Sequence, residues 1–159
     1  MRKIKRIYVH HSISNWGDGK AIRKWHKEKG YSHIGYQCVI LNGYRTYNSD
    51  YKEGEDGTIE RTLPEGTLPI SVKWGNSYSL AVCLIGNFDK YVPSQKQWDS
   101  LCRLLKFWLK KYGLCVSAIE GHREAMVRIG REKYVKSCPG KKFLMGKLRK
   151  ELVKEWEVR

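Results

Sequence analysis

Short apolar runs alternate with amphipathic stretches along this chain, and the pattern predicts strands interleaved with helices. Residues 78–85 (YSLAVCLI) form the most apolar run and predict a central strand. Residues 94–112 repeat large apolar side chains at intervals of three and four, which predicts an amphipathic helix, and Ser94 with Gln97 can form a capping box at its start. The other predicted strands are residues 6–11, 36–41, 58–63 and 116–120, and the other predicted helices are residues 20–29 and 140–156.

Interleaved strands and helices are typical of an α/β domain. The chain has 159 residues, a length that suits one domain with one hydrophobic core. We therefore predict a single domain over residues 1–159, with a central mixed β-sheet flanked by helices on both faces. Residues 42–74 are the least regular part, rich in Gly, Tyr and acidic residues, and long irregular loops often carry function.

The charge of the chain is strongly positive and narrows its partners to anionic ones. It has 31 Lys and Arg residues against 16 Asp and Glu residues, a net charge of +15. Such a surface attracts nucleic acid, anionic lipid or anionic cell-wall polymers, and the charge alone does not choose among them. The sequence has no helix-turn-helix, zinc-finger or RNA-binding sheet motif, so we expect no specific nucleic-acid binding. The basic helix predicted at 140–156 either caps the core or contacts a membrane or wall polymer.

The N-terminal sequence and the cysteines bear on the cellular compartment. The apolar run at residues 7–9 is too short for a signal peptide, so we expect synthesis in the cytoplasm. No apolar run approaches the roughly 18 residues that a membrane span requires. The chain has 5 cysteines without a CxxC pair, and an odd count without a signal sequence favours reduced thiols.

Histidine and cysteine residues in three separate motifs are candidate metal ligands. His10 and His11 lie in VHHS, His122 in GHRE, and Cys138 in KSCPG, with Lys136 two residues before the cysteine. Two imidazoles and a thiolate can hold a catalytic zinc ion with one position left for water. Because successive strand residues point to opposite faces, only one of the two adjacent histidines can reach a given site, and the spacing does not decide which. The alternative is that these residues are unrelated and KSCPG is a simple turn.

Five motifs together resemble a known enzyme family. They occur in family order and are IYVHHS (7–12), IRKWHKEKGYSHIGYQCVI (22–40), SLAVCLIGNF (79–88), PSQKQWDSLCRLL (93–105) and GHRE…KSCPG (121–140). In this order they resemble the zinc N-acetylmuramoyl-L-alanine amidases of type 2, a family that includes phage lysozyme-amidases and peptidoglycan recognition proteins. The resemblance implies a Zn²⁺ ion held by His10, His122 and Cys138, with Tyr36 and Lys136 as catalytic residues.

The resemblance also implies a substrate and a biological role. We expect hydrolysis of the amide between N-acetylmuramic acid and L-alanine in peptidoglycan, by a monomeric phage or prophage endolysin that reaches the wall after release. Substrate contacts are assigned to His11, Asn87 and Trp74, the last as an exposed ring that can stack on sugar or peptide. The alternative is a peptidoglycan-binding module on the same fold with weak or absent catalysis.

The chain departs from the family pattern around the predicted substrate groove. Gln37 follows the tyrosine where the family often has histidine, and His33 replaces a usual aspartate. Residues 42–54 look inserted, and the GRP…GAH segment that normally shapes the groove is not recognisable. The resemblance therefore supports the metal chemistry better than the substrate preference.

Overall fold

A five-stranded sheet organises the protein. The structure, a computed structural model, describes residues 1–134 and 137–157, with side chains described as far as residue 155. The elements in chain order are β1 (Arg6–His11), α1 (Gly19–Glu28), β2 (Cys38–Ile40), β3 (Ile59–Arg61), β4 (Ser79–Leu84), α2 (Gln95–Tyr112), β5 (Ile119–Gly121), α3 (His122–Ile129) and α4 (Met145–Glu157). The strand order is β3-β2-β4-β1-β5, so the most apolar strand, β4, is central as predicted.

The sheet is mixed, as predicted. β1 pairs in parallel with both β4 and β5, and β2 pairs in parallel with β4. Only the edge strand β3 is antiparallel to its neighbour β2. Buried parallel strands are apolar on both faces, which explains why β4 is a continuous apolar run in the sequence.

Helices cover both faces of the sheet, which confirms the predicted α/β class. On one face, α2 and α4 pack against alternate strand residues such as Val9 and Val82, with Trp108 fully buried. On the other face, α1 packs through Ile22 against β2 and β4, and α3 packs through Met126 near Tyr8. Because side chains alternate along β1, Tyr8 and Val9 belong to different cores.

Two elements begin at least three residues later than predicted, and one helix was not predicted. Residues 116–118 form a 3-10 turn rather than the start of a strand, so β5 begins at Ile119. α4 begins at Met145 rather than at Gly140, because Gly140 has a positive φ of 121° that a helix does not permit. Helix α3 was not predicted, because it is short. It is stabilised at its start by Glu124, whose carboxylate accepts a hydrogen bond from the Gly121 N–H at 2.9 Å.

The predicted capping box of α2 is present. Ser94 Oγ accepts from the Gln97 N–H at 3.0 Å, and Gln97 Oε1 accepts from the Ser94 N–H at 3.2 Å. Ser94 Oγ also donates to Asp56 at 2.7 Å, which ties the irregular segment to the helix. In the part of the chain that is described, no helix is both long and apolar enough to cross a membrane.

Removing this cap is expected to lower stability measurably. Ser94→Ala loses the acceptor for the helix N-terminus and the donor to Asp56, so we expect the free energy of unfolding to fall by about 1–2 kcal/mol. Urea unfolding followed by circular dichroism measures it. Ser77→Ala, at an exposed serine, is the control. A loss no larger than that of the control would contradict the capping role.

Candidate metal centre and active site

The metal-ligand candidates converge where two parallel strands end. His10 lies at the carboxyl end of β1, and His122 directly follows β5. Val9 and Gly121 are register partners, so the two histidines leave neighbouring strands at the same level. Cys138 reaches the same place from the segment that links α3 to α4, and the ligand atoms of the three residues all lie within 4.8 Å of one another.

The geometry around His10 fits a metal ion. His10 is only 2% exposed, and its Nε2 is a buried polar atom without a hydrogen-bond partner among the described residues. Its Nδ1 lies 3.6 Å from Cys138 Sγ, and its ring centroid is 5.0 Å from that of His122. Buried polar atoms are normally satisfied, so a buried imidazole that has one orphaned nitrogen and lies beside a thiol and a second imidazole indicates a ligand site. These three residues form a possible metal site, and imidazole with thiolate is a donor set that suits zinc.

Burial sets the protonation of the ligand candidates. It lowers the pKa of His10 well below its usual value, with further lowering by His122, so the imidazole is neutral and able to bind a metal. Burial raises the pKa of the Cys138 thiol to about 12, although the backbone N–H of His11 and the Arg123 guanidinium oppose this. Metal binding must therefore displace the thiol proton.

The fold resolves the choice between the two adjacent histidines. His10 faces His122 and Cys138, whereas the Nδ1 of His11 accepts a hydrogen bond from the Phe88 N–H at 3.0 Å. The His11 ring packs near the Phe88 ring, at 5.9 Å between centroids. His11 is buried by these contacts, and its role as a substrate contact stays a prediction.

A half-buried clamp that sequence reasoning missed holds the turn that carries Cys138. Arg123 donates to the carbonyl oxygens of Ser137 at 2.8 Å, Gly140 at 2.7 Å and Phe143 at 3.1 Å. From the other side, Asp89 accepts from Ser137 Oγ at 2.8 Å and from the Lys141 N–H at 2.9 Å. In the sequence, Asp89 directly follows the motif GNF and Arg123 directly follows the motif GH. These positions do not reveal which groups the two side chains bind.

Loss of the clamp is expected to weaken metal binding without unfolding the protein. Arg123→Leu removes the guanidinium donor from three carbonyl groups, of which those of Ser137 and Gly140 keep a backbone N–H donor. We expect metal affinity to fall about 10- to 100-fold, as for other residues that orient ligands. Competition with a chromogenic chelator measures the affinity. Arg103→Leu is the matched control, since Arg103 is exposed and donates within α2 to Ser100. Unchanged affinity in folded Arg123→Leu would contradict the clamp.

Tyr36 forms one wall of the cavity at the metal centre, which has a volume of about 270 Å³. Its ring lies between those of His10 and His26, at centroid distances of 5.1 Å and 5.2 Å. His26 is held in turn, because its Nδ1 accepts from the Gly35 N–H at 2.9 Å. Burial raises the pKa of Tyr36 well above its usual value, with smaller contributions from Cys83 and Cys138, so the phenol is a neutral hydrogen-bond donor.

Gln37, which departs from the family pattern, has a structural role. Its Oε1 accepts from the Ala81 N–H at 2.8 Å, and its Nε2 donates to the Thr67 carbonyl at 2.9 Å. The side chain is buried, and it joins the loop at residue 67 to the start of the central strand.

Trp74 and Asn87 are not among the described residues that line the cavity. Trp74 is 45% exposed and packs instead against Tyr134, with the Arg131 guanidinium 4.7 Å from its ring. Asn87 shapes its own loop, since its Oδ1 accepts from the Asp89 N–H at 3.2 Å. Lys136 lies outside the described residues. The roles of Trp74, Asn87 and Lys136 stay predictions.

Comparisons with known proteins agree with this fold. The family model described as N-acetylmuramoyl-L-alanine amidase matches residues 1–141. The endolysin of Escherichia phage T7 is 32% identical over 143 residues, with 84% of this chain and 78% of the relative covered, and the endolysin of Enterobacteria phage T3 is 30% identical over the same length and coverage. Among solved structures, the N-acetylmuramoyl-L-alanine amidase LysC from Clostridium intestinale has a similar fold, with a TM-score of 0.78, 23% identity, and 96% of this chain and 87% of that chain covered. The fold, the ordered motifs and the extent of these matches place the chain in the N-acetylmuramoyl-L-alanine amidase family.

Proposed function

We propose that this protein is a zinc-dependent endolysin that hydrolyses the amide between N-acetylmuramic acid and L-alanine in peptidoglycan. The observation that carries the proposal is the convergence of His10, His122 and Cys138, within 4.8 Å, in a cavity of an amidase-family fold. Similarity to phage endolysins supports the cell-wall substrate.

The three ligand candidates would hold the zinc ion. When bound, zinc supplies Lewis-acid chemistry, polarising a carbonyl group and making water a stronger nucleophile at neutral pH. The protein keeps the imidazole of His10 neutral by burial and fixes the Cys138 turn through Arg123. Both features prepare the ligands before the metal arrives.

Tyr36 would stabilise the transition state of the reaction. Its neutral phenol lines the cavity beside His10, so it can donate a hydrogen bond to the amide carbonyl oxygen as negative charge develops there. Lys136 would act on the same oxygen, and this role depends on its match to the family motif alone. Water adds to the carbonyl carbon and gives up a proton, and the C–N bond breaks. The L-alanine nitrogen takes up a proton either directly from the attacking water or from Tyr36, which the water's proton then restores.

The setting of the reaction would be the bacterial cell wall. The protein would be made in the host cytoplasm and reach the peptidoglycan after release, as a monomer. Its net charge of +15 favours contact with anionic wall or membrane polymers.

Product analysis tests the proposed reaction. Purified peptidoglycan is digested with zinc-loaded protein, and the products are identified by mass spectrometry. New L-alanine amino termini on released stem peptides, with intact glycan strands and loss of activity in a chelator, are expected. Zinc-bound protein that binds peptidoglycan but releases no amines from several wall types would contradict the proposal and indicate a binding module.

A further inference from the structure

A second and larger cavity borders the metal centre, and the proposed function does not use it. Its volume is about 900 Å³, and Ile13, three residues beyond His10, lines both cavities. We call it the aromatic pocket, after the five rings in its wall: Trp16, Tyr44, Tyr47, Tyr51 and Tyr91. Its volume lies in the range of pockets that bind small molecules.

The inserted segment at residues 42–54 builds much of this pocket. Arg45 fixes the segment to the body of the protein through ion pairs with Asp18 at 2.9 Å and Glu60 at 3.2 Å. The Tyr44 carbonyl accepts from the Gly17 N–H at 2.8 Å, and Asn42 Nδ2 donates to the Asn15 carbonyl at 2.8 Å. The insertion is therefore tied down at several points, and the pocket is formed before any ligand binds.

The wall of the pocket suits an uncharged ligand. Although the chain carries a net charge of +15, neither Lys nor Arg is among the described residues that line the pocket. The carboxylate of Asp56 is already engaged, since it accepts from Tyr51 at 2.7 Å and from Ser94 at 2.7 Å. A peptide with free carboxylates would find no cation among the described residues of this wall.

Aromatic rings beside amide and hydroxyl groups match the chemistry of a sugar. A pyranose ring presents apolar C–H faces, which pack on aromatic rings, and a rim of hydroxyl groups, which pair with polar side chains. Tyr47 offers the most accessible ring, at 72% exposure, and Asn15, Asn42 and Ser49 lie in the same wall.

We propose that the aromatic pocket binds a neutral sugar unit of the glycan strand, next to the muramic acid whose amide is cut at the metal centre. This inference depends on the proposed amidase function. It follows from the shared wall at Ile13, which puts the two cavities side by side, and from the uncharged, ring-lined surface.

A substrate comparison tests the role of the pocket in catalysis. The ratio of kcat/KM on polymeric peptidoglycan to kcat/KM on a single N-acetylmuramoyl peptide is expected to fall about 10-fold in Tyr47→Ala, because only the polymer supplies neighbouring sugars. Phe107→Ala is the matched control, since this exposed ring lies on α2 outside the pocket, and its ratio should equal that of the wild type. An unchanged ratio in Tyr47→Ala would overturn the inference.

A binding measurement keeps the test independent of the amidase reaction. Tryptophan fluorescence of the wild-type protein, with Trp16 in the pocket wall, is followed while peptide-free glycan strands are added. Saturable binding that weakens about 10-fold in Tyr47→Ala would support the sugar site, whether or not either substrate is cleaved. A lack of cleavage of both substrates would refute the proposed function and leave the sugar site standing. Binding of free stem peptide that depends on Tyr47, or no glycan binding, would overturn the sugar site.

Discussion

Replacing Cys138 with serine is expected to abolish zinc binding and reduce amidase activity by about 1000-fold or more, because metal catalysis supplies several kcal/mol of transition-state stabilisation. Cys138 Sγ lies 3.6 Å from His10 Nδ1, and Cys138 is the third of the three ligand candidates. A serine hydroxyl is a poor substitute, since zinc binds thiolate strongly and the hydroxyl does not ionise near neutral pH. Zinc per chain is measured by elemental mass spectrometry, and activity by release of L-alanine amines.

Cys115→Ser provides the matched control for this prediction. Cys115 is a free cysteine exposed to solvent, outside the candidate site, so its loss should change neither zinc content nor activity. Full zinc content and activity in Cys138→Ser would contradict the assignment of Cys138 as a ligand.

Replacing Gly140 with alanine is expected to destabilise the protein by about 3 kcal/mol or more, since strained backbone and overpacking each cost this order of energy. Gly140 has a φ of 121°, which side chains other than glycine rarely adopt. A Cβ atom there would collide with the carbonyl carbon of Phe88 and lie 2.5 Å from its oxygen, and backbone cannot move aside easily. Because Gly140 follows the Cys138 turn, metal affinity should fall as well.

Gly146→Ala is the control for this glycine. Gly146 lies in α4. Apart from its chain neighbours and the backbone of its own helix, no atom of the described residues lies within 4 Å of the place that an added methyl group would occupy. Alanine should therefore stabilise the helix by up to about 1 kcal/mol. Urea unfolding of both variants, with and without zinc, separates the stability of the fold from the metal contribution. Equal stability of the Gly140 and Gly146 variants would contradict the steric argument.

Strong periodic patterns in the sequence predicted the main elements of the fold. The strand predicted at residues 6–11 has the same bounds as β1. The apolar run at β4 predicted the central strand of the sheet, and the apolar stripe predicted helix α2, which packs on one face of the sheet. The short elements were harder, because β5 has three residues and α3 has eight, so each pattern repeats too few times to stand out. The start of α4 was predicted too early, because the residues between Gly140 and Met145 are also basic and apolar and look like part of the same amphipathic helix.

The sequence predicted the ligand candidates of the site but not the contacts around them. Strand alternation allowed only one of the adjacent histidines at the site, and the family resemblance favoured His10. The fold agrees, because His10 lies with His122 and Cys138 while His11 accepts from the Phe88 N–H. The Arg123 clamp joins residues 14 to 20 positions apart, and no periodicity encodes such contacts. The aromatic pocket likewise brings together loops that are distant in the sequence.

A zinc titration of amide hydrolysis tests the central claim most directly. Metal-free protein is supplied with increasing zinc, and the release of L-alanine amines from peptidoglycan is measured at each step. We predict that activity rises in proportion to zinc, reaches its plateau at about one ion per chain, and is absent without metal. Full activity in the metal-free protein, or cleavage of glycan bonds in place of the amide, would contradict this claim.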